Sequence, residues 1–118
     1  KALGGGMRQA GILASAGIYA LNNLTKRLSD DHNNAQKLAE KLSNINGIKI
    51  NLDYIKTNII FFYLSDVVKL TDNEFINKLL EKNIKIDSKG NSKFRIVTHL
   101  DFNEQDIETV VSAIKSII

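Results

Sequence analysis

Hydrophobic positions follow two patterns along the chain, and each predicts a different kind of helix before the strands begin. From residue 7 to about 22, small or apolar residues occupy nearly every side of one helical stretch: Ala10, Gly11, Ile12, Leu13, Ala14, Ala16, Ile18, Tyr19 and Leu21. The expected helix opens with Met7-Arg8-Gln9, which puts Arg8 in its first turn. A helix that is apolar all round is normally buried all round, so this one expects a second domain or subunit against it. After Asn22-Asn23 the pattern narrows to a stripe of Leu24, Leu28, Ala35, Leu38, Leu42 and Ile45, with Asp31 its polar interruption. That is an amphipathic helix with one core face, and Asn46-Gly47 ends it.

The second half changes period. Residues 48–51 form a short strand candidate, and 58–64 hold Ile59, Ile60, Phe61, Phe62 and Tyr63 in a row, which predicts a well-buried strand. Thr71-Asp72-Asn73-Glu74 is a capping box, with Leu70 and Phe75 as its hydrophobic staple. The helix it starts is expected to run to about residue 82 and to face inward through Phe75, Ile76, Leu79 and Leu80. Residues 84–86 read as a strand, Ser88-Lys89-Gly90-Asn91 as a turn and 94–98 as the next strand. A last helix begins at Asn103, stapled by Phe102 and Ile107, with Ile107, Val110, Val111, Ile114 and Ile118 on its inner face. The fold class is α+β. Connecting helices in residues 1–46 are followed, in 47–118, by a small, largely antiparallel sheet covered by helices.

Composition narrows the function classes. At 118 residues the chain suffices for one compact domain, and its 43% hydrophobic and 25% charged content is that of an ordinary globular protein. The net charge of +3 rests on scattered lysines and three arginines, Arg8, Arg27 and Arg95. A nucleic-acid footprint would be clustered and richer in arginine, so no nucleic-acid partner is expected. Without cysteine there is no disulfide framework and no thiolate metal site, which fits a cytoplasmic setting. The apolar run at residues 16–21 is too short to span a bilayer, and no signal peptide is recognisable. The chain opens on Lys1 in the middle of a motif, so a piece of a longer or processed protein is expected.

Two arginines stand out as candidate binding residues. Gly4-Gly5-Gly6 runs into the first helix, where close backbone approach, free N–H groups and the charge of Arg8 together suit an anion such as a phosphate. A flexible hinge with a solvated Arg8 reads the same residues equally well. In Lys93-Phe-Arg-Ile-Val-Thr-His-Leu-Asp101, alternation puts Arg95, Val97 and His99 on one face and Phe94, Ile96 and Thr98 on the other. An arginine inside a core strand needs an anion, and its planar fork suits a carboxylate; an exposed face of an edge strand is the alternative. His99 near Asp101 is expected to satisfy backbone groups and start a turn, and His32 to sit on the polar side of its helix. No nucleophile triad, zinc spacing or nucleotide-binding lysine loop is present, so no metal ligand and no complete active site are expected.

Lys1-Ala-Leu-Gly-Gly-Gly-Met-Arg-Gln-Ala-Gly-Ile-Leu-Ala14 closely resembles a segment of the low-specificity L-threonine aldolases, pyridoxal-phosphate enzymes of the aspartate-aminotransferase-like fold. Arg27-Leu-Ser-Asp-Asp-His32, Thr57-Asn-Ile-Ile60 and Arg95-Ile-Val-Thr-His-Leu-Asp101 keep that family's order, so the resemblance spans nearly the whole chain. It implies the C-terminal portion of such an enzyme, resembling the small domain of fold-type I proteins. It further implies cleavage of L-threonine or L-allo-threonine to glycine and acetaldehyde, a cytoplasmic setting and a homo-oligomer, a dimer or, as is usual in the family, a tetramer built from dimers. By this similarity Arg8 approaches the cofactor phosphate and Arg95 holds the substrate carboxylate. The lysine that anchors pyridoxal phosphate lies upstream of the glycine triplet in the family, in an N-terminal cofactor domain. The chain alone is therefore expected to be inactive, with no catalytic residue of its own. A related fold-type I lyase or aminotransferase, or a stand-alone α/β interaction module, are the competing interpretations.

Overall fold

In a computed structural model, which describes residues 5–118, the chain forms four α-helices and one four-stranded sheet. Helix α1 spans Gly11–Asn23, and a 3-10 turn at Thr25–Arg27 leads into α2, Leu28–Ser43. Strand β1 is Ile48–Lys49 and β2 is Ile59–Leu64; α3 is Asp72–Leu80; β3 is Asp87–Gly90, β4 is Lys93–Val97, and α4 is Glu104–Ile117. The sheet order is β1-β2-β4-β3 with every pair antiparallel, so β2 and β4 are its centre. The α+β class and the antiparallel sheet agree with the sequence.

The strands alternate. Ile60, Phe62, Leu64, Phe94 and Ile96 point into the core, whereas Ile59, Phe61, Tyr63 and Val97 face outward. The segment at 58–64 is thus half-buried, not buried throughout: all three helices of the layer lie on one side, and the other side is bare. Phe62 stacks on Phe94 with ring centroids 5.4 Å apart, and Phe75 from α3 closes on Phe94 at 4.9 Å. Ala35, Leu38, Ala39 and Leu42 of α2 and Ile107, Val110 and Ile114 of α4 complete the same core. Burying each large side chain is worth about 1.5–3 kcal/mol, which makes this cluster the main source of stability.

Local caps place the helices. Thr71 Oγ1 accepts from the Glu74 N–H while the Glu74 carboxylate accepts from the Thr71 N–H at 2.8 Å, the reciprocal pair the sequence predicts. Asn103 and Asp106 form the same arrangement on α4. Leu80 and Ile118, expected inward, are exposed, as is Leu28, because the 3-10 turn before α2 resets the stripe.

The β3–β4 hairpin departs from the sequence pattern. Residues 84–86 are irregular, and the strand occupies the predicted turn. The true turn is Asn91-Ser92, both with positive φ (54° and 58°), which suits the twist of a two-residue hairpin loop. Asp72, at the start of α3, clamps that turn by accepting from the Ser88 hydroxyl at 2.9 Å and the Ser92 N–H at 3.1 Å.

Helix α1 is the other departure. It starts at Gly11 rather than Met7, because Gln9 adopts φ of 53° and breaks the helical path, so Arg8 lies in the preceding turn. None of its residues is buried, and Ile12 is 76% exposed. The extents of 52 × 28 × 27 Å reflect the elongated shape.

Candidate functional site

Arg95 is the one arginine in the sheet. It sits on β4, opposite Phe61 of β2 and Asp87 of β3, so the edge-strand alternative does not apply. Alternation carries its side chain onto the bare face beside Lys93 and Val97. Its Nη2 forms an ion pair with Asp87 Oδ2 at 2.8 Å, while its Nε is buried and has no hydrogen-bond partner among the described residues. A buried donor without an acceptor costs about 1–3 kcal/mol, and Nε, being covered, is not the atom a ligand meets. The guanidinium is therefore paired with Asp87 on one side and half-exposed at its outer end.

The surroundings of Arg95 are aromatic and cationic. Lys93 Nζ lies 4.7 Å from the Phe61 ring centre and 5.5 Å from that of Tyr63, close enough for cation–π attraction. These three residues, with Asn51, Tyr54 and Ile55, line a shallow cavity of about 330 Å³ on the bare face. Asp87 also binds Lys89. The hydrogen bond from Lys89, with the charges of Lys89 and Arg95 added, holds the Asp87 carboxyl below its ordinary value against the opposing effect of burial.

Arg8 lies apart from the sheet, exposed in the turn that precedes α1. The position before that helix, Ala10, offers no side-chain cap, and the first turn holds no acidic residue. Of the helix's first N–H groups, that of Ile12 donates to the Gln9 carbonyl at 3.2 Å. A Cβ built on Gly5 would meet nothing within 4 Å, so the described residues form no cradle around it. Gly4 and Lys1 fall outside the described residues. Arg8 and Arg95 are placed on different elements, and no contact joins them.

Three of the sequence segments singled out above converge on one knot. Asn58 Nδ2 donates to the Thr98 carbonyl at 2.7 Å and the Thr98 N–H returns to the Asn58 carbonyl at 2.9 Å. The fully buried Thr98 hydroxyl donates to the Asp31 carbonyl at 2.7 Å, and Arg27 reaches the Leu100 carbonyl at 3.4 Å. These residues tie the start of α2 to the end of β4 two positions beyond Arg95. His99 Nδ1 accepts the Asp101 N–H at 3.3 Å, which is the turn-starting part its spacing suggests. His32 is exposed on its helix. Asp87 and the Asn58–Thr98 knot escaped the sequence reading; only the hairpin register, centred on Asn91-Ser92, would have brought Asp87 opposite Arg95. Among the described residues no cluster of histidine, aspartate and glutamate could hold a metal ion, and no helix is long and apolar enough to cross a membrane.

A family model described as "Beta-eliminating lyase" matches residues 1–65. The chain is 37% identical over 112 residues to low-specificity L-threonine aldolase 1 of Arabidopsis thaliana, covering 95% of this chain and 31% of that protein. It is likewise 37% identical over 112 residues to the low specificity L-threonine aldolase of Escherichia coli (strain K12), covering 95% and 31%. The chain thus spans about 31% of the length of these curated relatives.

Proposed function

The chain belongs to the beta-eliminating lyase family, and on that premise we propose that it is the C-terminal part of an aldolase that cleaves L-threonine or L-allo-threonine to glycine and acetaldehyde. Similarity to relatives named for that substrate supports the reaction. The observation that carries the site is Arg95, a central-strand arginine whose half-exposed guanidinium lies on the bare sheet face. A substrate carboxylate meeting the exposed end of that guanidinium gains a charge-assisted, geometrically fixed contact. Holding the carboxylate fixes the amino acid so that the bond to be broken stands in a reactive orientation.

Pyridoxal phosphate, when bound, supplies the ring that takes up the electrons released as the Cα–Cβ bond breaks. In this chain Arg8 and the uncapped start of α1 would hold its phosphate, in the active site of a neighbouring subunit. Residues 1–46 serve as the glycine-rich segment and connecting helices, and 47–118 as the small domain. The cofactor-anchoring lysine belongs to an N-terminal region, so this chain alone is inactive; the whole enzyme is a cytoplasmic homo-oligomer in this reading.

Steady-state kinetics of the whole enzyme test it. Arg95→Ala is expected to raise the KM for L-threonine by about 100-fold, the scale of one charged hydrogen-bonded contact. An unchanged KM would remove Arg95 from substrate binding. Arg8→Ala should weaken retention of pyridoxal phosphate, read as loss of its visible absorbance on gel filtration, and full retention would overturn the phosphate assignment. Assays with other amino acids separate threonine cleavage from the chemistry of a related lyase.

A further inference from the structure

Asp87 is the only acidic side chain that reaches Arg95 among the described residues, and it does so with a single oxygen. We propose that Asp87 is a positioning residue for substrate binding: by holding Nη2 of Arg95 from the neighbouring strand, it fixes the guanidinium so that its exposed outer end is offered to the substrate carboxylate. The inference rests on the assignment of Arg95 as the carboxylate anchor made above.

Three features carry it. An arginine side chain is long and rich in rotamers, and a half-exposed one disperses its fork unless something pins it. Here the pin is one-point: Asp87 Oδ2 meets Nη2 alone. A two-point carboxylate on both outer nitrogens would have filled the fork; this contact leaves Nη1 free of it.

The pin is itself held. Ser88, next to Asp87, donates to Asp72 at 2.9 Å, and the Ser92 N–H does so at 3.1 Å, so the hairpin that carries Asp87 is tied to the start of α3. Asp87 therefore has a fixed base from which to orient Arg95.

The charge count leaves the site attractive to an anion. Lys89 binds the same Oδ2 of Asp87 that Arg95 binds. Two cations on one carboxylate leave a formal charge of +1, where Asp87 and Arg95 alone would cancel. Lys89 thus lets Asp87 orient Arg95 without neutralising the site. Lys93 adds a further positive charge on the same face.

The test uses the whole, cofactor-loaded enzyme with L-threonine as substrate and L-threoninamide as a competitor that lacks the carboxylate. Asp87→Asn is expected to raise the KM for L-threonine about tenfold, less than the loss of Arg95 itself because Asp87 acts only through that side chain, with kcat changed by less than about twofold. Inhibition by the amide should stay as in the parent. Asp87→Glu, which keeps the charge but shifts it by a methylene, should fall between the two, and serves as the test variant if Asp87→Asn fails to fold. In the double variant Asp87→Asn with Arg95→Ala, the KM should match that of Arg95→Ala alone, because Asp87 acts through Arg95.

A fall in KM for Asp87→Asn would show that Asp87 competes with substrate, and would overturn the proposal. So would an equal loss for the amide, which marks general damage, or losses that multiply in the double variant. In each of those cases Arg95→Ala still raises KM, so the carboxylate anchor stands while Asp87 falls. If Arg95→Ala leaves KM unchanged, the anchor itself is wrong and Asp87 falls with it.

Discussion

Helix α1 and helix α2 are neighbours in sequence and opposites in packing. Ile12, Leu13, Ile18 and Leu21 spread around α1, and all of them are exposed. Ala35, Leu38, Ala39 and Leu42 fall on one side of α2, and all of them are buried. A one-sided stripe finds its partner in the chain's own sheet, whereas an all-round apolar surface needs more neighbours than this chain supplies. Apolar content alone therefore does not identify the core; its angular distribution does.

The largest expected effect breaks that comparison if it fails. Phe62→Ala removes a fully buried ring stacked on Phe94 and should destabilise the folded chain by about 3–5 kcal/mol in denaturant unfolding. Leu13→Ala on α1 should change the same measurement by less than about 0.5 kcal/mol. Comparable losses at the two positions would mean that α1 packs into the body of the chain. A chain beginning at Thr25 sharpens the point: its unfolding midpoint should match the parent, while self-association seen by light scattering should fall with the exposed apolar surface.

Much of the body is legible because its signals are local. The capping box at Thr71, the stapled start of α4 at Asn103 and the stripes of α2 and α4 depend on residues three to five apart, and the structure reproduces them apart from Leu28 and Ile118. The hairpin is harder. Ile84 and Ile86 look like strand residues, yet the ladder is fixed by Asn91-Ser92, where two consecutive non-glycine residues adopt positive φ. That conformation is disfavoured locally and is held by Asp72, which lies 20 residues before Ser92, so no window of sequence displays it. The same displacement hid the Asp87–Arg95 pair. Arg95 itself was visible, since alternation separates it from Phe94 and Ile96; what it meets was not.

A middle-sized effect tests whether the legible caps matter as much as their geometry suggests. Thr71→Ala removes the hydroxyl that accepts the Glu74 N–H and should cost about 1 kcal/mol, with the loss confined to the front of α3. Hydrogen exchange should show faster exchange for the amides of that first turn, with those of α2 unchanged. Because Asp72 stands in the same turn and clamps the hairpin, exchange around Ser92 should also rise. Protection left intact at Ser92 would mean that the hairpin holds its own shape, and that the α3 cap is local in effect as well as in sequence.

The smallest effect concerns charge at the same cap. Hydrogen bonds from the Thr71 N–H and hydroxyl hold the Glu74 carboxyl below its ordinary value of 4.5. In the unfolded chain that support is gone, so the unfolded state takes up the proton at higher pH than the folded one does. The stabilisation is therefore complete above the ordinary glutamate range and is lost as pH falls through the lowered value. Stability measured against pH should drop over that acid window, and Glu74→Gln should make the curve shallower there while leaving its neutral part parallel to the parent. An unaltered acid limb in Glu74→Gln would assign the drop elsewhere, with Asp87, also held low by its cations, the next carboxylate to substitute.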